Sequence, residues 1–228
     1  TDPDGTGLRN AEWYYGPQKR LMASYQLNVR SLGWFNNGLR TTLSWQDIDE
    51  SRNSRRFNRT GLKKQIENVK VTGLTSMAER VNGRNTLRVG ADFQYSDVTS
   101  VAYEENITTG IQTPVGTRYP DGGSYMADAA GFATLSQNLG KLILSEGARG
   151  GFSTMHGSFV NTDLFPFPFS EVSQKSPTGS GHLGLVWLPT TKWKVSAIAA
   201  TGFRMPNVDD IGKVFDSQAG SLIVPNPD

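Results

Sequence analysis

From Leu87 to Ser96 every second residue is apolar: Leu87, Val89, Ala91, Phe93 and Tyr95 alternate with Arg88, Gly90, Asp92, Gln94 and Ser96. Successive side chains of a strand point to opposite faces, so a run of this kind is a strand with one apolar and one polar side. The pattern recurs. Leu21, Ala23, Tyr25 and Leu27 oppose Met22, Ser24, Gln26 and Asn28, and Leu39, Thr41, Leu43 and Trp45 oppose Arg40, Thr42, Ser44 and Gln46. Later, Leu183, Leu185 and Trp187 oppose His182, Gly184 and Val186, and Trp193, Val195, Ala197 and Ala199 follow the same rule. With weaker patterns over 64–77, 125–137 and 142–152, about eight strands are expected, joined without a helical domain or a linker.

These strands are long. Runs such as 38–56 and 85–103 far exceed the five or six residues usual in globular sheets. The connections also alternate, with short ones near 31–37, 79–85, 137–141 and 189–192. Long ones cover about 105–124 and 156–176, and a moderate one lies near 56–62, all at the opposite strand ends. Short turns on one rim and long loops on the other are the mark of an up-and-down barrel that crosses an outer membrane. Trp34, Phe35, Trp187 and Trp193 flank the short turns, where an interfacial aromatic girdle belongs; ordinary core or edge aromatics fit the same positions.

Composition removes several other classes. The longest apolar stretch falls well short of the roughly 20 residues a membrane helix needs, whereas barrel strands are only mildly hydrophobic on average, as is a chain with 36% hydrophobic residues. Without cysteine there is neither a disulfide framework nor a thiol nucleophile, and no metal site or cofactor is expected. Lys+Arg 23 against Asp+Glu 21 leaves no global field that would draw nucleic acid. The start, Asp2-Pro-Asp-Gly5, has neither the basic nor the apolar segment of a signal peptide, so a mature or truncated chain is expected. Hydrolase elbows, phosphate loops and metalloprotease motifs are missing, and the chain is not expected to be an enzyme.

The segment Ala200-Thr-Gly-Phe-Arg-Met-Pro-Asn207, with Val208-Asp-Asp-Ile-Gly-Lys-Val-Phe215 and Val224-Pro-Asn226 after it, resembles a signature late in the barrel of TonB-dependent outer-membrane receptors. Gly16-Pro-Gln-Lys-Arg20, Glu50-Ser-Arg52 and Thr117-Arg-Tyr-Pro-Asp-Gly-Gly-Ser124 resemble further family segments in the same order. The resemblance implies an all-β chain of antiparallel up-and-down strands. It would be part of a barrel of about 22 strands in the complete family members, which also carry an N-terminal plug. It implies a bacterial outer-membrane location with the long loops extracellular. It further implies energy-coupled uptake of a scarce small ligand such as haem, siderophore-bound iron or cobalamin. The implied partners are outer-membrane lipid, the plug of the same protein and the TonB complex. On this reading, residues 1–228 are a partial barrel domain, without plug or C-terminal strands. A passive porin and a soluble carbohydrate-binding β-sandwich are the alternatives.

Three sets of residues are candidates for function. Thr201, Gly202, Phe203, Arg204, Pro206 and Asn207 carry the family motif at the barrel rim. Phe203 is expected to continue the strand's alternation, Pro206 to end the ladder, and Asn207 with Asp210 to start a short helix over 208–214. Arg88, Asp92, Gln94, Arg149 and His182 are expected to face the lumen and plug, although solvated lumen residues would look the same. Arg52, Arg55, Arg56 and Arg59, beside Lys63 and Lys64, surround a loop-side hairpin, where they suit lipopolysaccharide phosphates, an anionic substrate or plain solvent. In Phe165-Pro-Phe-Pro-Phe169, alternating proline is expected to keep Phe165, Phe167 and Phe169 extended, either offered to a ligand or pinning loops together. His156 and His182 are the two histidines a haem could use as an axial ligand; a lone histidine is more often a plain hydrogen-bonding residue.

Overall fold

The computed structural model describes Leu8 and residues 10–161, 163–211, 215–218 and 221–223; the expectations for Asp2–Gly5, residues 212–214 and Val224–Asn226 lie outside these. Ten strands form one antiparallel sheet. They are β1 (Glu12–Tyr15), β2 (Lys19–Val29), β3 (Leu39–Arg55), β4 (Gly61–Asn82), β5 (Asn85–Asn106), β6 (Gln112–Pro114), β7 (Ser124–Asn138), β8 (Leu142–Ser158), β9 (Glu171–Thr190) and β10 (Trp193–Ala200). Each long strand pairs with the next along the chain, β3 to β4, β5, β7, β8, β9 and β10, while β6 lies on the loop end of β5. A short helix, α1 (Val208–Ile211), and a separate hairpin of β11 (Phe215–Gln218) and β12 (Ser221–Ile223) follow.

The eight expected strands correspond to β2–β5 and β7–β10. The other two are β6, only three residues long, and β1, which is hidden for a local reason. β1 and β2 lie on the same edge of β3, with Glu12 opposite Arg55 and Lys19 opposite Asp49, so one residue is added between them at Gly16–Gln18. That addition breaks the alternation on which the sequence reading depends. Two loop boundaries also move inward: β8 and β9 extend to leave only 159–170 as their loop, and β4 meets β5 through a tight turn at Gly83–Arg84. Gly83 has φ +59, a conformation that glycine adopts without steric cost.

Register fixes the two faces. On one, Tyr25, Leu43, Leu74, Phe93, Ala129 and Phe152 occupy a single rung from β2 to β8. Most are solvent-exposed although apolar, Leu43 at 50%, Phe93 at 42% and Phe152 at 48%. This face changes character abruptly: the rung Trp45, Thr72 and Tyr95 is followed one rung on by Asp47, Lys70 and Asp97. Asn68 then donates to both Asp47 and Asp49 at 2.7 Å. At that border Tyr95 stacks on Tyr125 at 5.9 Å, and Tyr125 packs on His156 at 5.5 Å. At the short-turn end Arg80 lies over the Trp34 ring, 4.0 Å from its centroid. Between the two borders β5 contributes nine residues, Leu87–Tyr95, the length a tilted strand needs to cross a bilayer core.

The only cluster of buried apolar side chains among the described residues lies at the loop end. Phe159, Phe165 and Val172 form it, with Leu164, Phe167 and Phe169 packed against them. A sheet buried against a second layer would have its core at mid-strand, so the dry middle of a sandwich is missing among the described residues.

Candidate functional site

The polar face opposite the apolar band carries the charges. Glu79 and Arg88 are register partners on β4 and β5 and form an ion pair, while Asn37 of the neighbouring turn donates to the other oxygen of Glu79. They line a groove of about 520 Å³ with Gln26, Asn28 and Arg40. Further along, Arg149 of β8 reaches over β7 to grip Asp92 of β5 with both guanidinium nitrogens, one at 2.7 Å. Gln94 sits one residue pair beyond Asp92 on the same face. His182 lies opposite Gly147, whose lack of a side chain makes room for the imidazole, and its Nε2 is 3.5 Å from Ser145 Oγ. Arg88, Asp92, Gln94, Arg149 and His182 therefore share one face, as the alternation predicts. His156 is on the other.

Toward the loops the polar face becomes enclosed. Glu67 of β4 is 6% exposed, with Oε1 lacking a hydrogen-bond partner among the described residues. It lies beyond the border rung at Lys70, outside the apolar band. Burial pushes its carboxyl above the ordinary range, and the Arg118 and Arg52 charges pull the other way with less effect. Oxygens of Ser100, Ser124 and Gln174 are also buried without a partner among the described residues. A set of buried polar atoms of this kind is a place that water or a polar ligand group would satisfy.

Two loops close over this region. Pro120 is fully buried, and a side chain at Gly157 would run into Pro120, Ser124 and Val172. The Asp121 carboxylate accepts from the Val160 and Asn161 amides at 2.8 and 2.9 Å, tying the β6–β7 loop to the β8–β9 loop. The Phe-Pro-Phe-Pro-Phe segment is not an open platform. Phe165 is 3% exposed, and the Phe165 amide donates to Asn161 O at 2.9 Å and the Phe167 amide to Phe165 O at 2.8 Å, so the segment turns instead of running extended. Phe159 is the reason: its ring centroid lies 5.2, 5.3 and 6.2 Å from those of Phe165, Phe167 and Phe169.

The loop-side cations separate into two kinds. Arg56 and Arg59 are exposed. Arg55, read from the sequence as open to an anionic group or solvent, is buried: its guanidinium donates to Glu12 Oε1 at 2.6 Å, to Asn10 O at 2.9 Å and to Arg59 O at 3.0 Å. It fastens β1 to the β3–β4 hairpin, a role hidden from sequence because Glu12 is 43 residues away. Arg52 donates to Tyr15 Oη at 3.3 Å and lies over that ring. Lys64 is paired with Glu105 at 2.7 Å, which raises the lysine and lowers the carboxylate.

At the far end of the chain β10 stops at Ala200. Thr201 then takes the place of a ladder partner, its amide donating to Gly181 O and its Oγ1 accepting from the Gly181 amide. Phe203 is consequently outside the strand, contrary to expectation, and the chain turns away before Pro206. The helix start is as read. Asn207 Oδ1 accepts from the Asp210 amide at 3.1 Å, and Asp210 Oδ2 accepts from the Asn207 amide at 3.0 Å, a reciprocal capping box. Arg204 completes it with a two-oxygen grip on Asp210, both contacts 2.7 Å, and the arginine holds that carboxyl below the usual range. Val208, 6% exposed, buries the helix, which meets β7 and β8. The polar residues Arg204, Asn207 and Asp210 therefore hold one another, and Thr201 and Gly202 lead the chain off the sheet edge.

The architecture has a counterpart among solved structures. The crystal structure of the ferric citrate transporter FecA in the unliganded form superposes with a TM-score of 0.52 over 80% of this chain, at 14% identity. The chain spans 27% of that transporter's length. The sequence matches none of the curated proteins. A family model described as "TonB dependent receptor-like, beta-barrel" matches residues 1–228. Long antiparallel strands, an exposed apolar band and whole-chain agreement with that model lead to one assignment: the chain belongs to the TonB-dependent receptor-like β-barrel family.

Proposed function

We propose that this chain is a stretch of barrel wall in a bacterial outer-membrane transporter that takes up a scarce ligand in a TonB-dependent manner. Haem, siderophore-bound iron and cobalamin are the ligand classes to test. The observation that carries the reading is the apolar face of exposed and half-exposed side chains, nine residues tall along β5, bordered on one side by Tyr95, Tyr125 and His156 and on the other by Trp34 and Arg80. Such a surface is stable against lipid and costly in water. The polar face then lines the lumen, where Arg88, Asp92, Gln94, Arg149 and His182 meet the plug. The short turns face the periplasm and the long loops the outside. Loops folded over the polar face favour a gated receptor over a passive pore, since they narrow the extracellular mouth.

Binding chemistry would then fall to the loop end. The exposed Arg56 and Arg59 suit an anionic chelate or lipopolysaccharide phosphate, and the enclosed polar set around Glu67 suits a ligand's polar groups. No bond is made or broken in such a cycle; energy enters through TonB acting on the plug. A deletion strain grown on one iron source at a time, with a cobalamin-limited control, tests the reading. Loss of growth on one source, restored by the full-length gene, supports it, and unimpaired growth on all of them removes it.

A further inference from the structure

Around the turns at 138–141 and 188–194 the short-turn rim combines cations with indoles, while Glu79 of the neighbouring hairpin is already paired with Arg88. The turn at 138–141 and the turn at 188–194 lie side by side, with the Leu188 amide donating to Lys141 O at 2.7 Å. Between them is a groove of about 680 Å³ lined by Lys141, Lys192, Lys194 and Trp193. Arg84 belongs to the adjoining turn, whose carbonyl accepts from the Asn138 amide at 2.9 Å. None of these four cations has a carboxylate partner among the described residues, and the stretches 80–86, 137–142 and 188–194 contain neither Asp nor Glu. Beyond the opposite border of the apolar band, β3, β4 and β5 carry both signs, with Asp47, Asp49, Lys70, Asp97 and Glu105 intermixed.

We infer that this groove binds the phosphate of an anionic glycerophospholipid in the leaflet that meets the short turns. Trp193 is 69% exposed and Trp187 48%, and both lie at the end of the apolar band. Indoles favour the glycerol level of a bilayer, which sets the lysine ammonium groups at the height of lipid phosphates. Unpaired lysines beside a membrane surface gain from a negative headgroup, and a phosphodiester enters a groove that two turns hold open. A zwitterionic headgroup brings its own cation to the same place and gains less. The inference rests on the barrel reading above.

The test uses the full-length protein in phosphatidylcholine vesicles that contain either brominated phosphatidylglycerol or brominated phosphatidylcholine. The signal is the tryptophan emission that disappears in Trp193→Phe. The phosphatidylglycerol probe is expected to quench at lower mole fraction, by about fivefold for each lysine that reaches the phosphate, and less so as salt rises. Replacing Lys141, Lys192 and Lys194 together by Gln should reduce its quenching to that of the phosphatidylcholine probe, while replacing all three by Arg should preserve the difference. Gel mobility without heating checks that both variants are folded, and Lys141→Glu alone serves if the triple Gln variant is not. Equal quenching by the two probes overturns the lipid site. Quenching by neither overturns the membrane placement of this rim instead.

Discussion

Asp92 on β5 and Arg149 on β8 are joined across an intervening strand, with Arg149 Nη2 2.7 Å from Asp92 Oδ1, Ala130 of β7 standing opposite Asp92 and Phe132 opposite Arg149. The pair clamps three strands where each strand otherwise contacts only its neighbours. Both side chains are partly wet, Arg149 35% and Asp92 25% exposed, so water screens the attraction. Asp92→Asn and Arg149→Gln should each lower unfolding free energy by about 1 kcal/mol, with the double variant losing less than the sum. Urea unfolding of the vesicle-inserted protein measures this, and additive losses would mean the two groups act independently. Ala130→Leu, which fills the space beneath the clamp, should cost as much as either.

Adjacent glycines on β8 should respond in opposite ways. A methyl group at Gly151 would lie 2.6 Å from Ala130 Cβ and against the Ala129 carbonyl, where little can yield, whereas one at Gly150 meets nothing within 4 Å. Gly151→Ala is expected to destabilise by about 1–3 kcal/mol through overpacking. Gly150→Ala should be neutral or slightly favourable, because it restricts only the unfolded chain. The same unfolding assay decides.

Charge on the apolar band tests membrane contact directly. Phe93→Arg places a guanidinium at mid-band and should cost about 2–4 kcal/mol in a bilayer, while Gln94→Arg, one residue away on the polar face, should cost little. A similar effect at both positions would argue against lipid on one side only.

Glu67 predicts a pH dependence. Burial raises its folded-state value above that of the unfolded chain, so the carboxyl is neutral in both states at low pH and contributes no penalty there. As pH rises from the unfolded value to the higher folded one, ionisation increasingly favours the unfolded chain, and the penalty is complete above the folded value. Glu67→Gln should therefore flatten the decline of the urea midpoint as pH rises above the ordinary carboxyl range. A variant whose midpoint falls as steeply as the wild type's would show that another group titrates.

The capping box predicts local behaviour without global loss. Arg204 and Asp210 are solvent-facing, and Asp210→Ala should speed hydrogen exchange of the 207–211 amides while leaving the unfolding midpoint of the sheet in place. The exchange of β8 amides provides the control.

Strand existence and facing could be read from sequence because alternation is a local property that each run repeats: Leu87–Tyr95 states its own two sides. The same holds for Asn207 and Asp210, whose capping geometry spans three residues. What escaped depends on distant partners. Arg55 resembles Arg56 and Arg59 until Glu12 and Asn10 are brought beside it. The Phe-Pro-Phe-Pro-Phe segment reads as extended until Phe159 gathers its rings. The extra residue at Gly16–Gln18 hid β1, and Glu67 gave no sign that loops more than 40 residues further along would cover it.

On the proposed barrel reading, strand length has a consequence for where a ligand is met. β5 leaves the apolar band at Tyr95 and continues to Asn106, eleven residues further. At about 3.3 Å per residue and a tilt near 40°, this lifts the loop tips on the order of 25–30 Å clear of the lipid. On that reading the loop ends stand as a tower above the headgroups. We propose that such a tower meets its ligand in the medium and not in the bilayer.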